Sequence, residues 1–146
     1  MQRRNRITTA LLAGALALLL FYGFRPMKAA NPQQDPSRLA VLWTSGDPEV
    51  ATKMAFMYTL NAKRQGWFDE VTLIVWGPSS KLLSENTDLQ EAVKGMAAEG
   101  VEVVACKACS DSYGVSEILE GMGIDVKFMG VPLTEMLKGD WKVLSL

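Results

Sequence analysis

A three-layer α/β/α fold, built on a mainly parallel five-stranded sheet, is what the sequence predicts for residues 38–146, preceded by one apolar N-terminal helix. Three observations carry this. Short runs rich in Val, Leu, Ile and Trp recur along the chain, stretches of helical periodicity separate them, and cap or turn residues stand at the junctions. Strand and helix alternating in this way imply right-handed crossovers and a sheet held between two helix layers.

The elements follow in order. Residues 39–43 form an apolar run suited to a strand buried on both faces. After the turn at 44–46, Asp47 is placed to cap a helix and Pro48 to open it. Val50, Met54, Met57 and Asn61 are expected on its inner face, with Lys63 and Arg64 in the last turn and Gly66 as the stop. Residues 71–76 are the second strand, closed by Gly77-Pro78, and Ser79 or Ser80 opens a short helical piece. Thr87 and Gln90 read as a capping box for a helix carrying Leu89, Val93 and Met96, stopped by Gly100. The third strand, 101–105, runs into Cys106. Val115, Ile118, Leu119 and Met122 mark the next helical face, 126–129 a fourth strand, 132–138 a short helix and 141–146 a last strand.

The N-terminus has a different character. Arg3, Arg4 and Arg6 precede an uncharged run at 7–24 that ends at Arg25. These eighteen apolar or small residues suffice to span a bilayer core. The same arrangement describes a secretory signal peptide. Ala29 or Ala30 would have to close its cleavage site, but that puts Met27 or Lys28 where a small residue is wanted. Residues 1–30 are therefore read as an uncleaved anchor in preference to a removed signal. Residues 31–37, with Pro32 and Pro36, read as a linker. Arginine before the helix orients the domain to the extracytoplasmic side, or to the periplasm if the signal is cut.

The net charge of −1 conceals an asymmetry: the first thirty residues hold five basic and no acidic side chains, leaving a net of −6 beyond them. An acidic domain without a basic stripe argues against nucleic acid. Histidine is absent from the whole sequence, which removes Ser-His and Cys-His dyads and His-containing metal sites within one chain. What remains is Cys106-Lys107-Ala108-Cys109, at the end of a strand and the start of a helix. A helix N-terminus and a neighbouring Lys both favour a thiolate, so a thiol pKa below the free value of about 8.5 is expected. A reactive or redox pair is preferred over a permanent disulfide formed after export. A metal ranks last, because two Cys leave two coordination positions for another chain to fill. No cofactor is expected. In a parallel sheet ligands sit beyond the carboxyl ends of the strands, so Ser45, Gly46, Gly77, Pro78 and Pro132 should share one rim with the cysteines. Cys106 is expected to be the more accessible thiol, and Lys107 and Ser110 to support it.

The segments at 41–46, 71–77 and 100–109, followed by Tyr113-Gly114-Val115, resemble the DsrE/DsrF-like family over about residues 39–146. The most specific match is a strand ending in Cys106, with Gly114 and Val115 eight and nine residues later. The resemblance implies a five-stranded α/β/α domain, trimers or hexamers, and sulfur relay. It assigns Cys106 as the persulfide acceptor exchanging sulfur with a donor or acceptor protein, and leaves Cys109 to resolve the adduct. Family relay proteins work in the cytoplasm and commonly rely on the first cysteine; this chain carries export-like features and a second thiol. Two other readings stand beside sulfur transfer: a thiol-disulfide redox protein, and an oligomeric binding module with a structural disulfide. A thioredoxin-like arrangement fits poorly, since the motif follows the third strand and no Trp precedes its first Cys. Met54, Met57, Met129 and Met136 read as core or subunit packing, and an exposed Trp67-Phe68 pair would suit an oligomer interface.

Overall fold

The computed structural model describes residues 36–146; the expected N-terminal helix and most of the linker lie outside the described residues. Five strands form one sheet: β1 (Arg38–Trp43), β2 (Glu70–Val75), β3 (Glu102–Cys106), β4 (Asp125–Lys127) and β5 (Trp141–Ser145). Every pairing is parallel, and the spatial order is β4-β3-β2-β1-β5. The three crossovers from β1 to β4 step in one direction, whereas the last jumps back across three strands to the far edge. With right-handed crossovers, the helices of the first three lie on one face and that of the last on the other.

The side chains agree with this. Alternation along the strands sends Leu39, Val41, Trp43, Val71, Leu73 and Val75 into one cluster, and Ala40, Ile74, Val104 and Cys106 into the other. The first is covered by α1 (Pro48–Val50, continuing through a π-helical stretch Ala51–Phe56 into Met57–Arg64), α2 (Pro78–Glu85), α3 (Thr87–Ala98) and α5 (Ser116–Gly121). The second packs mainly beneath α6 (Gly130–Lys138), through Leu133 and Met136. Between β3 and α5 stands α4 (Lys107–Tyr113), an element the sequence reading did not separate from its neighbour; Gly114, at φ 69°, divides the two.

Several local expectations need correction. The buried face of α1 is Ala51, Ala55, Phe56, Thr59 and Ala62, while Met54 and Met57 are exposed. Small residues let the helix approach the sheet closely, and the buried face is offset by one position from its first turn on, with Ala51 and Ala55 inward in place of Val50 and Met54. Asn86, rather than Thr87, caps α3, its side chain accepting from the Leu89 amide at 3.0 Å. Gln90 instead donates to the Leu83 and Ser84 carbonyls. The fourth strand ends at Lys127, and α6 begins at Gly130, two residues before Pro132, which the first turn of a helix tolerates because its amide needs no partner there.

Candidate functional site

Cys106 is the last residue of β3 and the N-terminal flanking residue of α4, with extended backbone angles (φ −73°, ψ 110°). Being at an even position in the β3 alternation, its side chain joins the α6-side cluster with Met129, and the residue is 3% exposed. Cys109, one helical turn on, is half-buried and packs against the same cluster. Both are free thiols. The order of access is therefore the reverse of that expected from the strand end: strand alternation turns Cys106 inward, and the first turn of α4 carries Cys109 outward.

The electrostatics also differ from expectation. Burial is the main influence on Cys109 and raises its pKa, aided by a hydrogen bond with the Cys106 thiol and by the charge Cys106 would carry. One influence opposes these, a hydrogen bond from the backbone N–H of Gly77. The net direction is upward, not towards a depressed thiolate. Lys107 does not offset this, because its Nζ is 2.8 Å from Asp111 Oδ1. That contact raises the Lys107 pKa and, with Ser116, lowers that of Asp111.

Ser110 is fully buried and shares a 2.7 Å hydrogen bond with Ser116, whose hydroxyl is also 2.6 Å from Asp111 Oδ1. Ser110 and Asp111 thus tie α4 to the start of α5, and Lys107 holds Asp111 from within α4. With Glu117 and Glu120, Lys107, Asp111 and Ser116 line a polar cavity of about 390 Å³. Their support of the thiols is indirect, through the position of α4.

The loops of the rim converge. A Cβ on Gly46 would lie 3.3 Å from Pro78 Cβ, so the loops after β1 and β2 touch there. Ser45 accepts from the Asp47 amide at 3.1 Å, a turn contact. Pro132 is half-buried in the first turn of α6, which covers the Cys106 face. The role missed by sequence reasoning is that of Ser79, read there only as a helix start on this rim. Its hydroxyl is buried and donates to the Trp43 carbonyl at 2.7 Å. It also accepts from the Trp76 amide at 2.9 Å. Only its place between two glycine-proline-type turn residues and a helix marked it in the sequence.

The profile of the DsrE/DsrF-like family matches residues 37–146. The chain belongs to that family. The DsrE-like domain is similar to a conserved protein of unknown function from Bacteroides thetaiotaomicron (BT1422), with 38% identity and a TM-score of 0.73, over 75% of this chain and 95% of that one. It also shares its fold with the ychN protein from E. coli, at 16% identity and a TM-score of 0.60, over 75% of this chain and 99% of that one. No curated protein matches it. The family places the domain among folds used in sulfur relay and related redox chemistry. Among the described residues no cluster of three or more His, Cys, Asp or Glu is arranged to hold a metal ion.

Proposed function

We propose that this domain is a cysteine-based sulfur carrier acting outside the cytoplasm, with sulfur held on the Cys106–Cys109 pair. The observation that carries the reading is the placement of the pair: a half-buried thiol packed against the cluster that holds a buried one, at the carboxyl end of a parallel sheet. Cys109 is the thiol a donor meets first. Its thiolate attacks the outer sulfur of a donor persulfide, giving a Cys109 persulfide and releasing the donor as its thiolate, with no net oxidation. Cys106 then has two targets. Attack on the outer sulfur moves it to Cys106, and attack on the inner sulfur expels hydrosulfide and leaves a Cys106–Cys109 disulfide. The second route is the thiol-redox reading, which the packing of both thiols in one cluster also supports. The family resemblance gave Cys106 the acceptor role; its burial makes it the second thiol in the sequence proposed here.

Mass spectrometry of the protein after exposure to inorganic polysulfide tests this. Adducts in steps of one sulfur atom are expected at a cysteine. A simple loss of two hydrogens would replace the carrier by a redox protein, and no change would defeat both.

The domain is proposed to work as a homo-oligomer. Mainly one helix, α6, covers the second face of the sheet, and around it Phe128 is 67% and Val131 70% exposed, with Leu137 also exposed. Light scattering on the domain beginning near Gln33 should give a trimer or hexamer, and a clean monomer at micromolar concentration would refute this. For the extracytoplasmic location, the support is the basic start and apolar run of residues 1–30. Alkaline phosphatase fused after Leu146 should be active, and the protein should stay with membranes after salt washing. Recovery in the soluble periplasm with a new N-terminus near Asn31 would replace the anchor by a cleaved signal, and an inactive fusion would refute export. Among the described residues no helix is long and apolar enough to cross a membrane.

A further inference from the structure

We infer that the outward face of α1, built from Met54, Met57, Tyr58 and Trp67, lies against the surface of a lipid bilayer. The inference rests on the proposal that residues 1–30 anchor the chain in a membrane. It adds which side of the domain meets that membrane.

The structure gives α1 two apolar faces. Ala51, Ala55, Phe56 and Ala62 close one against the sheet; the other leaves Met57 56% and Trp67 54% exposed, with Met54 and Tyr58 exposed beside them. Trp67 stands beyond the end of the helix, but the turn at Gly66 (φ 62°) folds it back. Its amide donates to the Ala62 carbonyl at 3.0 Å and the Gly66 amide to that of Lys63 at 3.1 Å. The indole ring then lies 5.9 Å from the ring of Tyr58. Met57 and Leu60 continue the patch into an apolar groove of about 370 Å³ between α1 and α3. An apolar surface of this kind marks a contact with a protein or a membrane.

Place and charge point to the membrane. Ser37, at the start of the domain, donates to Asp69 Oδ2 through both its amide and its hydroxyl, at 2.8 Å each, and Asp69 is two residues past Trp67. The patch therefore adjoins the point where the linker enters. Only residues 25–36 separate that point from the apolar run ending at 24. Fully extended, they reach about 40 Å. Confinement at this range gives a local concentration of roughly millimolar, so a patch too small to hold a free protein to a membrane suffices for a tethered one. As for charge, the chain beyond residue 30 carries a net of −6, yet residues 50–68 hold Lys53, Lys63 and Arg64 and no acid. Trp and Tyr rings settle at headgroup depth, and long basic side chains at the edge of an apolar face reach the lipid phosphates. The oligomer proposed above uses the other face of the sheet, so the two surfaces do not compete. With Trp67 at the amino end of the strands, the thiols at their carboxyl ends stay clear of the bilayer.

The test uses the full-length protein in vesicles of phosphatidylcholine and phosphatidylglycerol, with or without bromine on the acyl chains. Bromine quenches nearby tryptophan, and no Trp precedes Trp43, so all emission comes from the domain. Brominated vesicles should dim the unaltered protein, and Trp67→Phe should lose most of that quenching. Met57→Glu, which keeps Trp67 as the reporter and alters an exposed position, should lose most of it too, with an unchanged circular dichroism spectrum. Absence of quenching in a protein that floats with the vesicles would overturn the inference and leave the anchor standing. Quenching that persists in Trp67→Phe would put another face on the bilayer, such as that of Trp141, and quenching that persists in Met57→Glu would remove α1 from the contact; either overturns it. Should Met57→Glu instead lower the mass seen by light scattering while no quenching occurs, the occupant is a second copy and the bilayer reading fails. A protein that does not float removes the anchor, and this inference with it.

Discussion

Replacing Cys109 by serine should abolish labelling of the native, reduced protein by a bulky maleimide and should abolish sulfur loading. Cys106→Ser should leave both largely intact. The contrast follows from access: Cys106 is 3% exposed beneath α6, while Cys109 is half-buried at the rim. Adding denaturant to the Cys109→Ser variant should restore labelling at Cys106, showing that burial and not chemistry protects it. The Cys106→Ser variant has a further signature. Without a second thiol to expel hydrosulfide, a persulfide on Cys109 should accumulate to several times the level seen in the unaltered protein. Intact-mass measurement after limiting maleimide reads the first result, and the same measurement after polysulfide reads the second. If Cys106→Ser silences the protein and Cys109→Ser traps adducts, the order proposed here is reversed.

The largest stability effect is expected at Trp43. Its ring is fully buried in the core of the first face and meets Phe56 edge-on, with centroids 4.8 Å apart and planes at 79°. Trp43→Ala should cost about 3–5 kcal/mol, enough to unfold a marginal domain, because a cavity of that size collapses only partly. Trp43→Phe should behave differently. The indole Nε1 is buried without a hydrogen-bond partner. Phenylalanine removes that orphaned donor while keeping an aromatic edge against Phe56, so part of the lost volume is offset. Its cost should be less than half that of alanine in urea unfolding monitored at 222 nm. Equal costs would mean that the indole N–H has a partner, such as ordered water, that stabilises it.

The fold was legible in the sequence because its signals are local. Parallel strands buried on both faces read as apolar runs, and Asp47-Pro48, Gly66 and Gly100 punctuate the helices at the positions the structure uses. What escaped was phase and direction. Met54 and Met57 looked like core residues by spacing and size, yet alanines form the buried face of α1. The cysteines were found by spacing, but which one faces outward depends on how strand alternation at Cys106 joins the first turn of α4. That junction is decided in three dimensions. Lys107 was near enough in sequence to serve the thiols, and only the structure shows that Asp111, one turn on, takes it first. The shared rim of Gly77 and the cysteines was legible from strand order, because loops at the carboxyl ends of adjacent parallel strands lie on one side; the bonds of Ser79 to Trp43 and Trp76 were not.

The position of β5 has a consequence for how the chain is made. β1 pairs with β2 on one side and with β5 on the other, Arg38 standing opposite Trp141 across almost the entire domain sequence. The first strand to emerge during synthesis therefore waits for the last. Until β5 arrives, β1 presents an open row of backbone donors and acceptors, the kind of edge along which nascent chains join one another. The Thr44 amide and hydroxyl then both take the Leu146 backbone oxygen, at 2.7 and 2.8 Å, and seal the far end of the seam. A premature stop before Trp141 would thus yield a chain with four strands and most of its core, together with an adhesive edge, and its fate would be aggregation or proteolysis rather than partial activity.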